Sequence, residues 1–255
     1  MVKFILLGHG RSGSTLLVKS LGRHSNVRML GELFNEEAAE RERAFHALNR
    51  IFPSGQAETR YYRDGDDGEE FLRNGVFYER GWENIHAVGY KMFYVHARRN
   101  RQEKTAWDYL VNNRDVHVVH LLRRNLFESF ISLQIARKTK EWKRWKTDTK
   151  PLTEIEPFAL APKDCADYFN QKTAFRIWGR QTFKDHPFLE IEYERDVCAR
   201  FDDALHSIHD FLGVAREPAQ QLLEKQARRH PSQQVTNYEE LKEHFRYTLY
   251  EDFFE

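Results

Sequence analysis

Cysteine is scarce in this chain of 255 residues. There are two, Cys165 and Cys198, in no C-x-x-C pair, so neither a disulfide framework nor a zinc site is indicated. No Asn-x-Ser/Thr sequon occurs either, and both absences fit a reducing, cytoplasmic location. Long apolar runs are missing as well. Nothing approaches the ~20 residues that span a bilayer, and the first apolar stretch stops at Gly8, short of a signal peptide's ~7–15-residue segment. The sequence therefore predicts no transmembrane segment. Charge of one sign is the last absence: 40 basic residues stand against 39 acidic, a formal charge of +1. That balance excludes a chain-wide polyanion-binding surface and argues against a nucleic-acid partner. Affinity for phosphate or sulfate must come from local clusters.

What is present is enough for a core. Hydrophobic residues make up 40% of the chain and aromatics 14%, with 31% charged to cover the surface, which excludes extensive disorder. No repeat and no long linker interrupts the chain. Two stretches are weak, 52–68 with its glycines and 146–163 with Pro151, Pro157 and Pro162, and both read as excursions from one domain spanning 1–255.

Four short apolar runs, at 2–7, 87–94, 116–122 and 188–191, have the character of buried parallel strands. Helical patterns lie between them. Leu16, Leu17 and Leu21 precede Gly22; residues 126–135 repeat at helical spacing; Val197, Phe201, Leu205, Ile208 and Leu212 step down one face to Gly213. Strand alternating with helix predicts a single-domain α/β fold, a P-loop-type parallel β-sheet flanked by helices. In such sheets ligands bind beyond the carboxyl ends of the strands.

The first strand runs into Gly8-His9-Gly10-Arg11-Ser12-Gly13-Ser14-Thr15 and then into a helix. This is nearly the phosphate loop G-x-x-x-x-G-K-[ST], with Ser14 where the lysine belongs. Its anion cradle survives: glycines let the backbone turn tightly, N–H groups converge, and the helix start adds partial positive charge. Ser12, Ser14 and Thr15 add hydroxyl donors. The lysine that grips a nucleoside triphosphate is gone, and Arg11 supplies a cation instead. The strand at 116–122 ends in Arg123 and Arg124, where a Mg²⁺-dependent NTPase needs an acid. A basic pair there suits an anionic ligand without a metal. An ordinary β–α turn is the plainer alternative.

These residues resemble the sulfotransferases that use 3′-phosphoadenosine 5′-phosphosulfate (PAPS). Arg11-Ser12-Gly13-Ser14-Thr15 is similar to that family's loop for the 5′-phosphosulfate. Arg124 and Ser132, eight residues apart, are similar to its pair for the 3′-phosphate. Weaker likenesses follow to the bacterial branch of nodulation and glycolipid enzymes: Gly31-Glu32-Leu33-Phe34, the segment from Ala136 to Trp142, Tyr193-Glu194 with Phe211-Leu212-Gly213, and Asn237-Tyr238-Glu239-Glu240-Leu241. The resemblance implies a PAPS-dependent sulfotransferase with no metal, acting on a small-molecule or glycan acceptor, a carbohydrate or glycolipid.

Sulfuryl transfer needs a base at the acceptor hydroxyl. Cytosolic members place a histidine two residues after a strand lysine, but here Lys91 is followed by Phe93 at that distance. The resemblance points instead to Glu32 as base; of the catalytic cations, Arg11 would stabilise charge on the leaving phosphate and Lys91 would steady the sulfuryl oxygens. An anionic donor would push the Glu32 carboxyl up, and Arg11 or Lys91 would oppose it. His96 is the second candidate base, and His9 a residue that packs beside the nucleotide. Glu32 also reads as a helix cap or ordinary ion pair, and Lys91 as a solvent-exposed strand end.

Two basic runs remain. Arg98, Arg99, Arg101 and Lys104 form one; Lys138, Lys140, Lys143, Arg144 and Lys146 form the other, around Trp142 and Trp145. They fit an acceptor surface, a single-stranded nucleic-acid groove or solvated helix faces. The stretch 64–70 is an acidic loop rather than a calcium site, because Gly68 falls where an EF-hand needs a ligand. Other activities consistent with the loop are a small-molecule P-loop kinase and a non-catalytic nucleotide-binding module.

Overall fold

The protein is represented by a computed structural model that describes residues 1–37, 39–41, 66–78, 84–97, 105–149, 151, 153–218, 223 and 229–254. The Arg98–Lys104 basic run, most of the weak stretch 52–68 and the start of the acidic loop lie outside the described residues. In chain order the elements are β1 (Val2–Gly8), α1 (Ser14–Leu21), β2 (Val27–Leu30), α2 (Gly68–Glu70) running into a π-helical turn (Phe71–Val76), β3 (Ala87–Phe93), α3 (Ala106–Asn112), β4 (His117–Leu122), α4 (Leu126–Thr139), α5 (Pro162–Thr182), β5 (Phe188–Glu192), α6 (Phe201–Phe211), α7 (Pro231–Gln234) and α8 (Tyr238–His244).

The five strands among the described residues lie parallel in the order β2-β3-β1-β4-β5. Val2 pairs with Ala87 and Gly8 with Phe93, while Phe4 pairs with His117 on the other side of β1. The glycine loop thus leaves the sheet at its centre, between the carboxyl ends of β3 and β4, where open α/β sheets bind ligands.

The apolar runs are continuous because both faces of the sheet are covered. Successive strand residues point to opposite sides. Ile5, Leu7, Tyr90 and Met92 pack with Trp107, Leu110 and Phe183. Phe4 and Leu6 pack with Leu17 and Leu21 of α1 and with Leu205 and Ile208 of α6. A third cluster joins Phe127 of α4 to Phe169 of α5, Tyr238 and Leu241 of α8, and Phe254. It fixes the helix that follows Arg124.

The observed strand and helix limits fall close to those the sequence predicts. The π-helical turn Tyr193–Cys198 takes up Val197, so α6 starts at Phe201. The long helix α5 carries no sustained apolar stripe, its buried residues being Cys165, Tyr168, Phe169 and Gly179. Its start is marked only by Pro162 in the first turn, a place proline suits because the missing N–H has no helical partner there.

Candidate active site

The loop after β1 turns through two left-handed residues, Arg11 at φ 66° and Gly13 at φ 83°. Glycine is required at the second for another reason too. A Cβ on Gly13 would stand 2.3 Å from the Tyr193 ring. Gly13 precedes α1 without capping it by a side chain, so the helix offers its first N–H groups to a ligand. Ser12 is fully buried, and its Oγ has no hydrogen-bond partner among the described residues. A buried hydroxyl is rarely left unpaired. This orphan lies in the loop that the sequence reads as an anion cradle.

The two arginines after β4 part company. Arg123 is buried: its Nε donates to Glu194 at 2.8 Å, Nη2 to Glu128 at 2.9 Å and Nη1 to the Arg11 carbonyl at 3.2 Å. Its guanidinium also lies 4.3 Å from the Tyr193 ring centre. Arg123 therefore ties the loop to the π-helical turn after β5 (Tyr193–Cys198) and to α4. Arg124 is exposed, and its side chain has no partner among the described residues. Its backbone is held, because the N–H groups of Arg124 and Asn125 donate to the Glu194 carboxylate at 2.8 and 3.2 Å. Asn125 then caps α4 by accepting from the Glu128 N–H at 2.9 Å, and its amide donates to the Phe253 carbonyl at 3.1 Å.

Ser132 faces Arg11 rather than Arg124. Its Oγ accepts from Arg11 Nε at 3.0 Å and Nη2 at 2.9 Å, while Nη1 donates to the Trp142 carbonyl at 2.6 Å. No bond joins Arg124 to Ser132. The α4 serine and the loop cation are thus in contact, with the second arginine free at the helix start about two turns away.

Glu32 lies two residues beyond β2. Its Oε1 is 2.5 Å from Lys91 Nζ and its Oε2 is 3.6 Å from His96 Nε2; Asn35 also donates to Oε2. Lys91 is buried near the end of β3 and donates to Thr15 Oγ1 at 3.4 Å. Carboxylate, cation and phosphate loop therefore form one connected set. Burial pushes the Glu32 carboxyl up, but Lys91, His96 and Asn35 together hold it below its ordinary value. Burial likewise lowers Lys91 against the pull of Glu32.

A profile of the Sulfotransferase family matches residues 4–218. The chain belongs to that family. Nodulation protein H of Rhizobium tropici is 26% identical over 257 residues, covering 99% of this chain and 92% of that protein. Nodulation protein H of Rhizobium meliloti (strain 1021) is 27% identical over 270 residues, with 99% and 94% covered. A crystallised sulfotransferase from Alicyclobacillus acidocaldarius is similar at a TM-score of 0.49 and 15% identity, over 95% of this chain and 90% of that one.

In this sulfotransferase His96 is buried, not a surface residue. Its Nδ1 accepts from the Phe93 N–H at 3.2 Å, which leaves the proton on Nε2, facing Glu32. Burial lowers its pKa to about 4, so it stands as a neutral donor beside the carboxylate. His9 is also buried; its Nδ1 bonds the Gly10 carbonyl at 2.8 Å and burial pushes it down to about 3. Trp142 is 54% exposed and touches the site through its carbonyl. The second basic run begins on α4 at Lys138 and continues past its end at Thr139. Among the described residues no group of three His, Cys, Asp or Glu side chains is placed to hold a metal ion, and no helix is long and apolar enough to cross a membrane.

Sequence reasoning did not give Asn35, Asn125 or the pinning role of Glu194. The only signal for Glu194 was its place in the Tyr193-Glu194 likeness. Asn125 was open to recognition as the cap residue just before a helical pattern.

Proposed function

We propose that this chain, read as one sulfotransferase domain over 1–255, moves a sulfuryl group from PAPS to a hydroxyl of a small-molecule or glycan acceptor, a carbohydrate or glycolipid. The contact set Glu32–Lys91–Thr15 carries the reading, because it puts a carboxylate and a buried cation against the loop suited to the donor. Arg11, Ser12, Gly13, Ser14 and Thr15 take the 5′-phosphosulfate, by loop N–H groups, hydroxyls and the Arg11 charge. Arg124 and Ser132 take the 3′-phosphate, for which the free guanidinium of Arg124 is available.

In the reaction the acceptor oxygen bonds to sulfur as the bond from sulfur to the 5′-phosphate oxygen breaks. The acceptor proton passes to Glu32, and the electron pair of the broken bond leaves on the phosphate. Without ligand, Lys91 neutralises Glu32. A donor sulfuryl group competes for the same ammonium, which releases the carboxylate and raises its basicity. Arg11 and the loop N–H groups stabilise the charge that develops on the leaving phosphate.

Glu32→Gln tests this directly. Turnover of labelled PAPS over an acceptor panel should fall by about 10²–10⁴, with little change in the affinity for 3′-phosphoadenosine 5′-phosphate. Full activity in Glu32→Gln refutes the assignment and turns attention to His96. Thermal stabilisation by MgATP in place of the desulfated donor would favour a kinase.

A further inference from the structure

His96 approaches Glu32 with a ring that is fixed from several sides. Its backbone N–H donates to the Phe93 carbonyl at 2.9 Å, and the Phe93 N–H donates to His96 Nδ1 at 3.2 Å. The two residues thus close a tight turn by exchanging hydrogen bonds, and the imidazole is one of the partners. It is buried against the Phe93 ring, with 5.0 Å between centres. The His96 carbonyl takes the Trp107 Nε1–H of α3 at 2.8 Å. Ala97, the next residue, sits at φ 53°, a strained conformation that persists only where its surroundings hold it.

This lock decides what each ring nitrogen can do. A general base must present a lone pair to the proton it takes. The Nδ1 lone pair is occupied by the Phe93 N–H, and Nε2 carries the ring proton. His96 can therefore only donate. Its Nε2 lies 3.6 Å from Glu32 Oε2, and roughly 0.4 Å of movement brings the two within the ~3.2 Å of an N–H···O bond.

The carboxylate is held unevenly. Lys91 takes Oε1, while Asn35 and His96 share Oε2. Lys91 is the partner that a sulfuryl group can draw away, whereas the Oε2 partners are neutral. A cation kept on the carboxylate would depress its basicity; a neutral donor fixes its direction at a smaller cost.

We infer that His96 is a positioning residue of the transfer reaction. As a locked neutral donor it fixes Oε2 of Glu32, so that Oε1 takes the acceptor proton once Lys91 turns to the donor. No bond changes at His96, and its Nε2 proton stays in place. The inference rests on the reading of Glu32 as the base.

Turnover of labelled PAPS over an acceptor panel, followed against pH, tests it in wild type, His96→Phe, His96→Gln, Glu32→Gln and the His96→Phe/Glu32→Gln double variant. Calorimetric affinity for 3′-phosphoadenosine 5′-phosphate should match wild type in each, which shows that each folds. The charged groups facing Glu32 are Lys91 and His96, with Glu40 and Arg11 acting on Lys91; the His96 variants leave the others in place. His96→Phe keeps a ring against Phe93 but removes the donor. Its kcat should fall about three- to tenfold, the scale of one neutral hydrogen bond, with KM for PAPS unchanged. Glu32 works ionised, and losing a donor raises its pKa, so the acid limb of kcat should move to higher pH by up to about one pH unit. His96→Gln keeps an N–H and should recover most of both effects. In the Glu32→Gln background His96→Phe should cost nothing further.

Wild-type kcat and acid limb in His96→Phe, beside an inactive Glu32→Gln, overturn the inference and leave Glu32 as the base. Equal losses in His96→Phe and His96→Gln with an unmoved limb also overturn it, by making the residue structural. Activity in Glu32→Gln overturns the base reading and this one with it; a loss of about 10²–10⁴ in both His96 variants would then name His96 as the base. The lock is read without turnover. Nitrogen-15 spectra of the wild-type imidazoles near neutral pH should show His96 in the Nε2–H form, and the Nδ1–H form overturns the inference whatever the rates.

Discussion

Gly13→Ala probes the join between loop and sheet. Two costs add at this position. A non-glycine residue at φ 83° costs roughly 1–2 kcal/mol. The new methyl would also meet Tyr193 Cδ2 and Cε2 at 2.3 Å, far inside the ~3.5–4.0 Å of normal carbon contact. The ring has little freedom to yield, since the Arg123 guanidinium lies 4.3 Å from its centre. Displacing it forfeits a cation–π contact of ~0.5–2 kcal/mol and adds overpacking strain of ~1–3 kcal/mol. The expected loss is about 2.5–7 kcal/mol, a large part of the ~5–15 kcal/mol available to a domain. Urea unfolding of wild type, Gly13→Ala, Tyr193→Ala and the double variant forms a cycle. In the Tyr193→Ala background the steric part vanishes, and Gly13→Ala should cost only the conformational ~1–2 kcal/mol. An equal loss in both backgrounds refutes the contact; a loss near zero in wild type refutes the loop conformation as well.

Arg124→Ala should weaken 3′-phosphoadenosine 5′-phosphate about tenfold or more while leaving adenosine 5′-phosphate nearly unaffected; equal losses in calorimetry would remove the assigned 3′-phosphate role. Arg123→Met leaves Glu194 and Glu128 without their shared cation and should lower stability by about 1–3 kcal/mol, read as a shift in the urea midpoint. Acid should destabilise the fold early. His9, His96 and His209 are held down, mainly by burial, to about 3, 4 and 4. Unfolded imidazoles take up protons near 6.5, so the native contribution is complete above that pH and is lost as pH falls from 6.5 towards 4. A urea midpoint that does not change between pH 6.5 and 5 would contradict the burial of these rings.

The sheet was legible because its strands are short apolar runs bounded by glycine and charge, and the glycine loop was legible because its physics is local. Helix α5 was hidden because it packs against two clusters with different faces, Phe169 into one and Phe175 and Trp178 onto the other. No single apolar stripe results, and periodicity has nothing to detect. The surroundings of Glu32 were hidden for a related reason. Lys91 and His96 reach it from another strand and the turn after it, and sequence carries no sign of which side chains converge. The expected upward pressure on Glu32 considered an anionic donor; in the unliganded protein the adjacent ammonium prevails, and the carboxyl is held down.

Arg123 and Arg124 show where the limit lies. Consecutive residues in extended chain point to opposite sides, so a basic pair leaving β4 was bound to divide into one inward and one outward cation. Which is which depends on Glu194, seventy residues on, whose carboxylate takes the Arg123 side chain and the Arg124 backbone together. With Arg123 spent on that carboxylate and on Glu128, only Arg124 keeps a charge for a ligand. Glu194→Gln should therefore disturb the pair unequally. The Arg123 guanidinium loses one of its two ionic partners and keeps Glu128, whereas the Arg124 N–H keeps a carbonyl acceptor. Stability should fall by about 1–2 kcal/mol with nucleotide affinity changed less than in Arg124→Ala. The opposite ranking would mean that Arg123, not Arg124, serves the ligand.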